Sequence, residues 1–152
     1  MHYWLMKSEP DECSIDDALA VPGGITSWSG VRNYQARNFM RDAMRIGDGV
    51  LFYHSSCPEP GIAGLAEVAS AACPDPSQFD RRSDYYDAKS KRTAPRWIMV
   101  DVRALRKTRL VPLAELRRQK ALKKMWLLRP GSRLSITPVS AAEWRHITEK
   151  LL

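Results

Sequence analysis

The chain has 152 residues, 44% of them hydrophobic, and its 24 Lys and Arg against 17 Asp and Glu leave a net charge of +7. That length suits one domain, residues 1–152, with a single core. No apolar run reaches the span of a bilayer, and the start Met1–Lys7 lacks the basic and then apolar pattern of a signal peptide, so a cytoplasmic protein (nuclear in a eukaryote) with no membrane association is expected.

His2–Met6 reads as a buried strand running into Lys7-Ser8-Glu9-Pro10, where Pro10 ends it. Ser14-Ile15-Asp16-Asp17 is a capping box opening a short helix through Ala20. Val21-Pro22-Gly23-Gly24 delivers the densest stretch in the chain, Trp28-Ser29-Gly30-Val31-Arg32-Asn33-Tyr34-Gln35-Ala36-Arg37-Asn38. From Ala36, apolar residues at Phe39, Met40, Ala43 and Met44 predict a helix with one buried face. Arg37, Arg41 and Arg45, four residues apart, would then form a basic ridge beside that face. The spacing predicts strands at Val50–His54 and Gly61–Val68, the second with two glycines that suggest a bulge or a close approach. Residues 72–94 have no clear period and read as a long surface excursion with one helical turn. Arg96–Leu105 alternates cleanly and predicts a strand. A helix, or a broken pair, is expected from Val111 to Met125, then a strand at Leu134–Thr137 and a capped terminal helix from Ser140. Strands and helices without βαβ alternation point to a mixed α+β domain, with a curved or barrel-like sheet of about five to six strands.

Several chemistries lack their motifs. No glycine-rich phosphate loop is present, so no nucleotide cofactor is expected. His2, His54 and His146 are scattered, and Cys13, Cys57 and Cys73 form no C-x-x-C pair, so no metal site and reduced thiols are expected. What remains is basic charge interleaved with aromatics, including five Trp. That composition suits surfaces that hold phosphates and stack bases. Trp28 beside a cationic helix start offers a flat surface for a base, and the bland alternative is a core Trp beside solvated Arg. His54, ending a strand before Ser55-Ser56, could bond a base edge or act as a general base, or merely satisfy a loop carbonyl.

Lys7-Ser8-Glu9-Pro10, Trp28-x-Gly30-Val31-Arg32-Asn33-Tyr34-Gln35-Ala36-Arg37-Asn38 and Gly47-Asp48-x-Val50-Leu51-Phe52-Tyr53-His54-Ser55 together closely resemble the EVE domain. Pro60-Gly61-Ile62-x-Gly64-x-Ala66-Glu67-Val68, Asp75-Pro76-x-Gln78-Phe79-Asp80, Tyr85-Tyr86-Asp87 and Pro95-Arg96-Trp97 extend the match over nearly the whole chain. Ala88, where Pro is expected, and Trp126, where a smaller residue is usual, depart from the pattern. The resemblance implies a PUA-like fold related to YTH and ASCH domains, and a non-enzymatic reader of a modified base in DNA or RNA.

On that reading Lys7, Ser8, Trp28, Ser29, Asn33, Tyr34, Tyr53, His54, Ser55 and Trp97 would line the base pocket. Lys7, Arg32 and Arg37 would hold flanking phosphates, without cofactor or metal, and a monomer is expected. The competing readings are an enzyme acting on the same base or nucleotide, with His54 as general base, and a small-molecule sensor.

Overall fold

The computed structural model describes residues 1–152. Its strands are β1 (Tyr3–Ser8), β2 (Ile25–Ser27), β3 (Gly49–His54), β4 (Gly61–Val68), β5 (Cys73–Pro74), β6 (Ile98–Met99), β7 (Asp101–Pro112) and β8 (Ile136–Val139). Six of them form one sheet in the order β2-β7-β4-β3-β1-β8, and β5 and β6 form a separate two-stranded ribbon. Only β1 and β3 run parallel; every other pairing is antiparallel.

Successive residues of a strand face opposite sides, and here both sides are buried. Trp4, Met6, Val50, Phe52, Ala63 and Ala66 enter one core, with Ile15 and Ala18 of α2 (Ile15–Ala20) and Met40. Leu5, Leu51, Tyr53, Ile62 and Val111 enter the other, with Leu116 of α4 (Leu113–Arg117), Leu122, Met125 and Ile147. Glycine permits close contact in β4: a side chain at Gly64 would meet Ile15 and the Arg106 carbonyl. The ladder slips beside it, which is the bulge the two glycines suggest.

Both capping boxes form, at Ser14 with Asp17 and at Ser140 with Glu143, the latter opening α5 (Ala141–His146). The helix over Tyr34–Ala43 differs from its prediction. Only α3 (Tyr34–Asn38) is α-helical, and Phe39–Ala43 widens to a π turn closed by the Met44 N–H on the Phe39 carbonyl. The extra residue breaks the four-residue step, so no shared Arg ridge exists. Arg41 turns to Asp42, Arg45 to the Asp42 and Met44 carbonyls, and Arg37 to Asn38 and the Arg96 carbonyl.

The alternating stretch from Arg96 is also split. β6 pairs with β5 in the ribbon and β7 pairs with β2 and β4 in the main sheet, so the chain changes sheets at Val100, whose carbonyl accepts the Trp28 N–H. In turn β7 runs on through Val111 and Pro112, which are strand and not helix, because they pair with Ile62 and Gly61. The following segment is broken into α4 and short turns at Lys120–Leu122 and Trp126–Leu128. The 72–94 excursion is knit to the body by Gln78, fully buried, whose amide bonds the Asp75 and Trp97 carbonyls, the Trp97 N–H and the Ser90 hydroxyl.

Candidate nucleic-acid interface

The parallel pair β1 and β3 ends at Ser8 and His54, and the chain leaves both strands at the same edge. Ser55 is tied to that edge by its N–H on the Ser8 carbonyl. A cleft of about 500 Å³ opens there, bounded by Lys7, Ser8, Ser55 and Ser56 on one side and by the segment 26–32 on the other. Glu9, Glu12, Cys13 and Ser135 continue its border, and Tyr85 and Arg133 close it.

The segment Trp28–Arg32 is fixed from behind by Asp75, which is wholly buried at the start of the Pro76–Phe79 turn. Its carboxylate accepts from the Gly30 N–H at 2.8 Å, from Arg32 at 3.2 Å, and from the Ser77 N–H and hydroxyl. Burial alone would raise its pKa, but the bonds from Ser77, Gly30 and Arg32 hold it below the ordinary carboxylate value. Gly30 sits at φ +81, and a side chain there would collide with the Tyr85 ring. The close passage of Tyr85 over Gly30 brings that ring, 37% exposed, to the cleft.

Arg32 is consumed by this framework. Besides Asp75 it donates to the Ser77 hydroxyl and the Tyr85 carbonyl, and its guanidinium lies between the Tyr85 and Trp97 rings. The stack continues through Tyr34, whose ring is 4.8 Å from Trp97, to Arg37, 4.7 Å from Tyr34. Rings and cations stack along a wall behind the cleft, with the Trp97 indole N–H fastened to Asp87 at 2.8 Å.

Trp28 has a double position. It is 8% exposed and belongs to the core under the sheet, edge-on to Phe52 at 5.6 Å, yet it also borders the cleft. It is therefore a core residue with a margin on the opening, and not the freely exposed platform that its place in the sequence suggests.

Of the residues expected from sequence, Lys7, Ser8, Trp28, Ser29, Arg32 and Ser55 gather at the cleft. The others lie elsewhere. Asn33 caps α3 by accepting the Ala36 N–H, and Tyr34, Trp97 and Arg37 form the stacked wall. Tyr53 is buried in the opposite core, where burial pushes its phenol up to about 12. His54 accepts the Ile15 N–H through Nε2, holding the start of α2. Sequence reasoning missed Ser27, Ser56, Ser135, Arg133 and the Glu9 and Glu12 carboxylates as cleft residues. The Ser55-Ser56 pair following a buried strand was the available signal for Ser56; Arg133 and Ser135 come from a remote loop and carry none.

His54 gives a pH test of its role. Burial, its leading influence, lowers its pKa below 6.5. The unfolded chain then binds more protons between the folded value and about pH 6.5, so stability falls as pH drops through that window. Wild type should therefore lose more Tm than His54→Gln on moving from about pH 7.5 to about pH 5.5. Equal losses would show that burial does not depress the imidazole's pKa in the folded protein.

Lys7 is half-buried at the cleft, its ammonium 6.0 Å from the Tyr53 ring centre, and burial lowers its pKa. The Ser8 hydroxyl donates to the Cys13 carbonyl at 2.6 Å and keeps its lone pairs free to accept. Arg133 makes no ion pair with the protein. Asp75 neutralises Arg32, and the carboxylates of Glu9 and Glu12 equal in number the cations Lys7 and Arg133 along the lining, so the cleft combines hydroxyls, an aromatic margin and nearly balanced charge.

No helix is long and apolar enough to cross a membrane. Human thymocyte nuclear protein 1 is 46% identical over 163 residues, an overlap covering 95% of this chain and 72% of that protein. The crystal structure of human THYN1 protein in complex with DNA containing 5-methylcytosine superposes with a TM-score of 0.92 at 43% identity, covering 98% of this chain and 96% of that one. An ASCH protein of Zymomonas mobilis, 9% identical with a TM-score of 0.55, shares the fold alone, as the expected PUA-like architecture requires. The EVE domain model matches residues 2–150, and with this sheet, this cleft and these relatives the chain belongs to the EVE domain family.

Proposed function

We propose that this protein is a non-enzymatic reader that takes one methylated base of a nucleic acid, 5-methylcytosine in DNA being the favoured case, into the cleft between β1, β3 and the Trp28 segment. The observation that carries this reading is the character of the cleft. It is large enough for a base, rich in hydroxyls, bordered by Trp28 and Tyr85, and close to neutral within. Such a hollow suits an uncharged base better than a phosphate. The THYN1 complex with 5-methylcytosine DNA, on the same fold, supports the choice of ligand.

The residues divide the work. Glu9 or Glu12 accepts from an exocyclic amino group, the donor that cytosine offers. Ser8, Ser27, Ser29 and Ser55 adjust to the remaining polar edge. The methyl group meets the margin of Trp28 and Val31. One buried methyl contributes about 0.8 kcal/mol, roughly four-fold in affinity. Turning a base out of a duplex costs a few kcal/mol and less from a single strand. The enzyme reading lacks support because His54, its general base, lies outside the cleft with Nε2 engaged.

The test is fluorescence anisotropy with oligonucleotides that differ only by one 5-methylcytosine, as single strands, as duplexes and over a salt series. The methylated strand should bind at least about four-fold tighter, and affinity should fall with salt in both forms. Equal affinity for methylated and plain strands would reject the base pocket. Binding that ignores salt would reject a nucleic-acid partner.

A further inference from the structure

We propose that the groove between Trp126 and Arg133 is a second nucleotide subsite, holding the base and phosphate next to the methylated base on the same strand. This rests on the reading of the cleft as a base pocket and extends it to the neighbouring nucleotide.

The groove, about 410 Å³, is lined by Asn33, Gln35, Trp126, Arg129, Arg133 and Leu134, with the turn 130–132 between the two arginines. Arg133 borders both this groove and the cleft, so the two hollows are neighbours across one side chain. A strand with one base turned into the cleft would cross Arg133 to leave it.

The arginines here differ from those of the Trp28 segment. Arg32 and Arg37 are spent on carbonyls, Asp75 and Asn38. Arg129 and Arg133 are exposed and take part in none of the protein's ion pairs. No carboxylate lines the groove to neutralise them. A guanidinium with unspent donors beside a groove is matched by phosphate, which it can grip with two parallel bonds.

The aromatic part is equally specific. The Arg129 guanidinium lies 4.3 Å from the centre of the Trp126 ring. Phe39 meets that ring edge-on at 5.9 Å and itself leans on Trp4 of the core. The indole is thus anchored to the sheet through two rings, and the stacked guanidinium presents a second flat face outward. Bases stack on such planes as well as on indoles. Asn33 spends its carbonyl oxygen on the α3 cap, which leaves its amide N–H groups, with Gln35, to meet a base edge. Lys123 and Lys124, both exposed, precede Trp126 in the chain and add to the positive charge of this segment.

The experiment uses single-stranded oligonucleotides with one 5-methylcytosine flanked by thymidines, and the same strands with an abasic residue on either side of it. Trp126→Ala should weaken binding of the fully flanked strand roughly 5- to 150-fold. That loss should disappear with the abasic residue on one side, which identifies the neighbour held. The preference for methylated over plain cytosine should stay as in wild type. Arg129→Gln and Arg133→Gln, at exposed positions, keep the test valid if Trp126→Ala folds poorly; each should flatten the salt dependence by the equivalent of about one phosphate contact. Wild-type affinity and salt slope in all three variants would overturn the subsite. Loss of binding that is the same with and without the neighbouring base would overturn it too. A wild type without methyl preference, whose Trp126→Ala variant still loses affinity only when the neighbour is present, would remove the cleft reading and keep the groove. A wild type that binds none of these strands would remove both.

Discussion

Trp28→Ala is expected to lose both stability and binding, and the first loss is the larger surprise for a residue chosen as a ligand platform. The ring is 8% exposed and is one of eighteen buried apolar residues of one core, edge-on to Phe52. Truncating a buried Trp costs about 3–5 kcal/mol. Because one margin borders the cleft, water can enter the vacated space, which places the expected cost at about 3 kcal/mol. Urea denaturation should show this as a lower midpoint with an unchanged slope. Binding of a methylated strand, measured below the transition, should fall by about 1–3 kcal/mol as the base loses its aromatic contact. Trp28→Phe keeps most of the packing and should recover most of the stability while restoring only part of the affinity. An alanine variant as stable as wild type would show that the indole does not belong to the core. A destabilised variant with full affinity would separate the cleft from base binding.

The same residue shows what the sequence could and could not disclose. Elements with a strict local signature were legible: the alternation in β7, the two capping boxes and the bulge at the β4 glycines each depend on neighbours in the chain. The helix after Asn33 was legible as a helix, but its π turn depends on how Phe39 and Met40 must meet the core, which no periodicity encodes. Val111 and Pro112 resembled a helix entry because their strand partners, Ile62 and Gly61, lie some fifty residues back. The cleft divides in the same manner. Lys7, Ser8 and Ser55 follow buried strands and were found by position. Arg32 and Arg37, expected beside flanking phosphates, are engaged by Asp75, the Tyr85 carbonyl and the Arg96 carbonyl, acceptors distant in sequence that no local pattern announces. A positive residue is available to a phosphate only when the fold leaves it unspent, and that is a tertiary property. Arg133, which no local signal marks, is the arginine that meets this condition at the cleft.

Asp75→Ala is expected to show how completely the cleft depends on a buried carboxylate outside it. Asp75 has no exposed surface, while its partner Arg32 keeps about a fifth of its side chain in solvent. Removing one member of a buried pair costs about 3–5 kcal/mol because the other charge is left without compensation. Partial exposure of Arg32 sets the expected loss at about 3 kcal/mol, since water can reach the guanidinium. The Gly30 N–H loses its acceptor as well, so the segment carrying Trp28, Ser29 and Arg32 is released on its inner side. Affinity should therefore fall for methylated and plain strands alike, because the whole segment that borders the cleft loosens. Asp75→Asn separates charge from shape. It can keep the bonds from Ser77, but its amide then points N–H groups at the donors of Gly30 and Arg32. Its stability should lie between those of wild type and Asp75→Ala. The acid limb supplies an independent check. The folded pKa is held below the ordinary carboxylate value, so this residue's contribution is present above about pH 3.9 and is lost as pH falls through the folded value. Wild type should lose more stability than either variant over that interval. Denaturation curves within about 0.5 kcal/mol of wild type for Asp75→Ala would mean that Gly30 and Arg32 do not rely on this carboxylate.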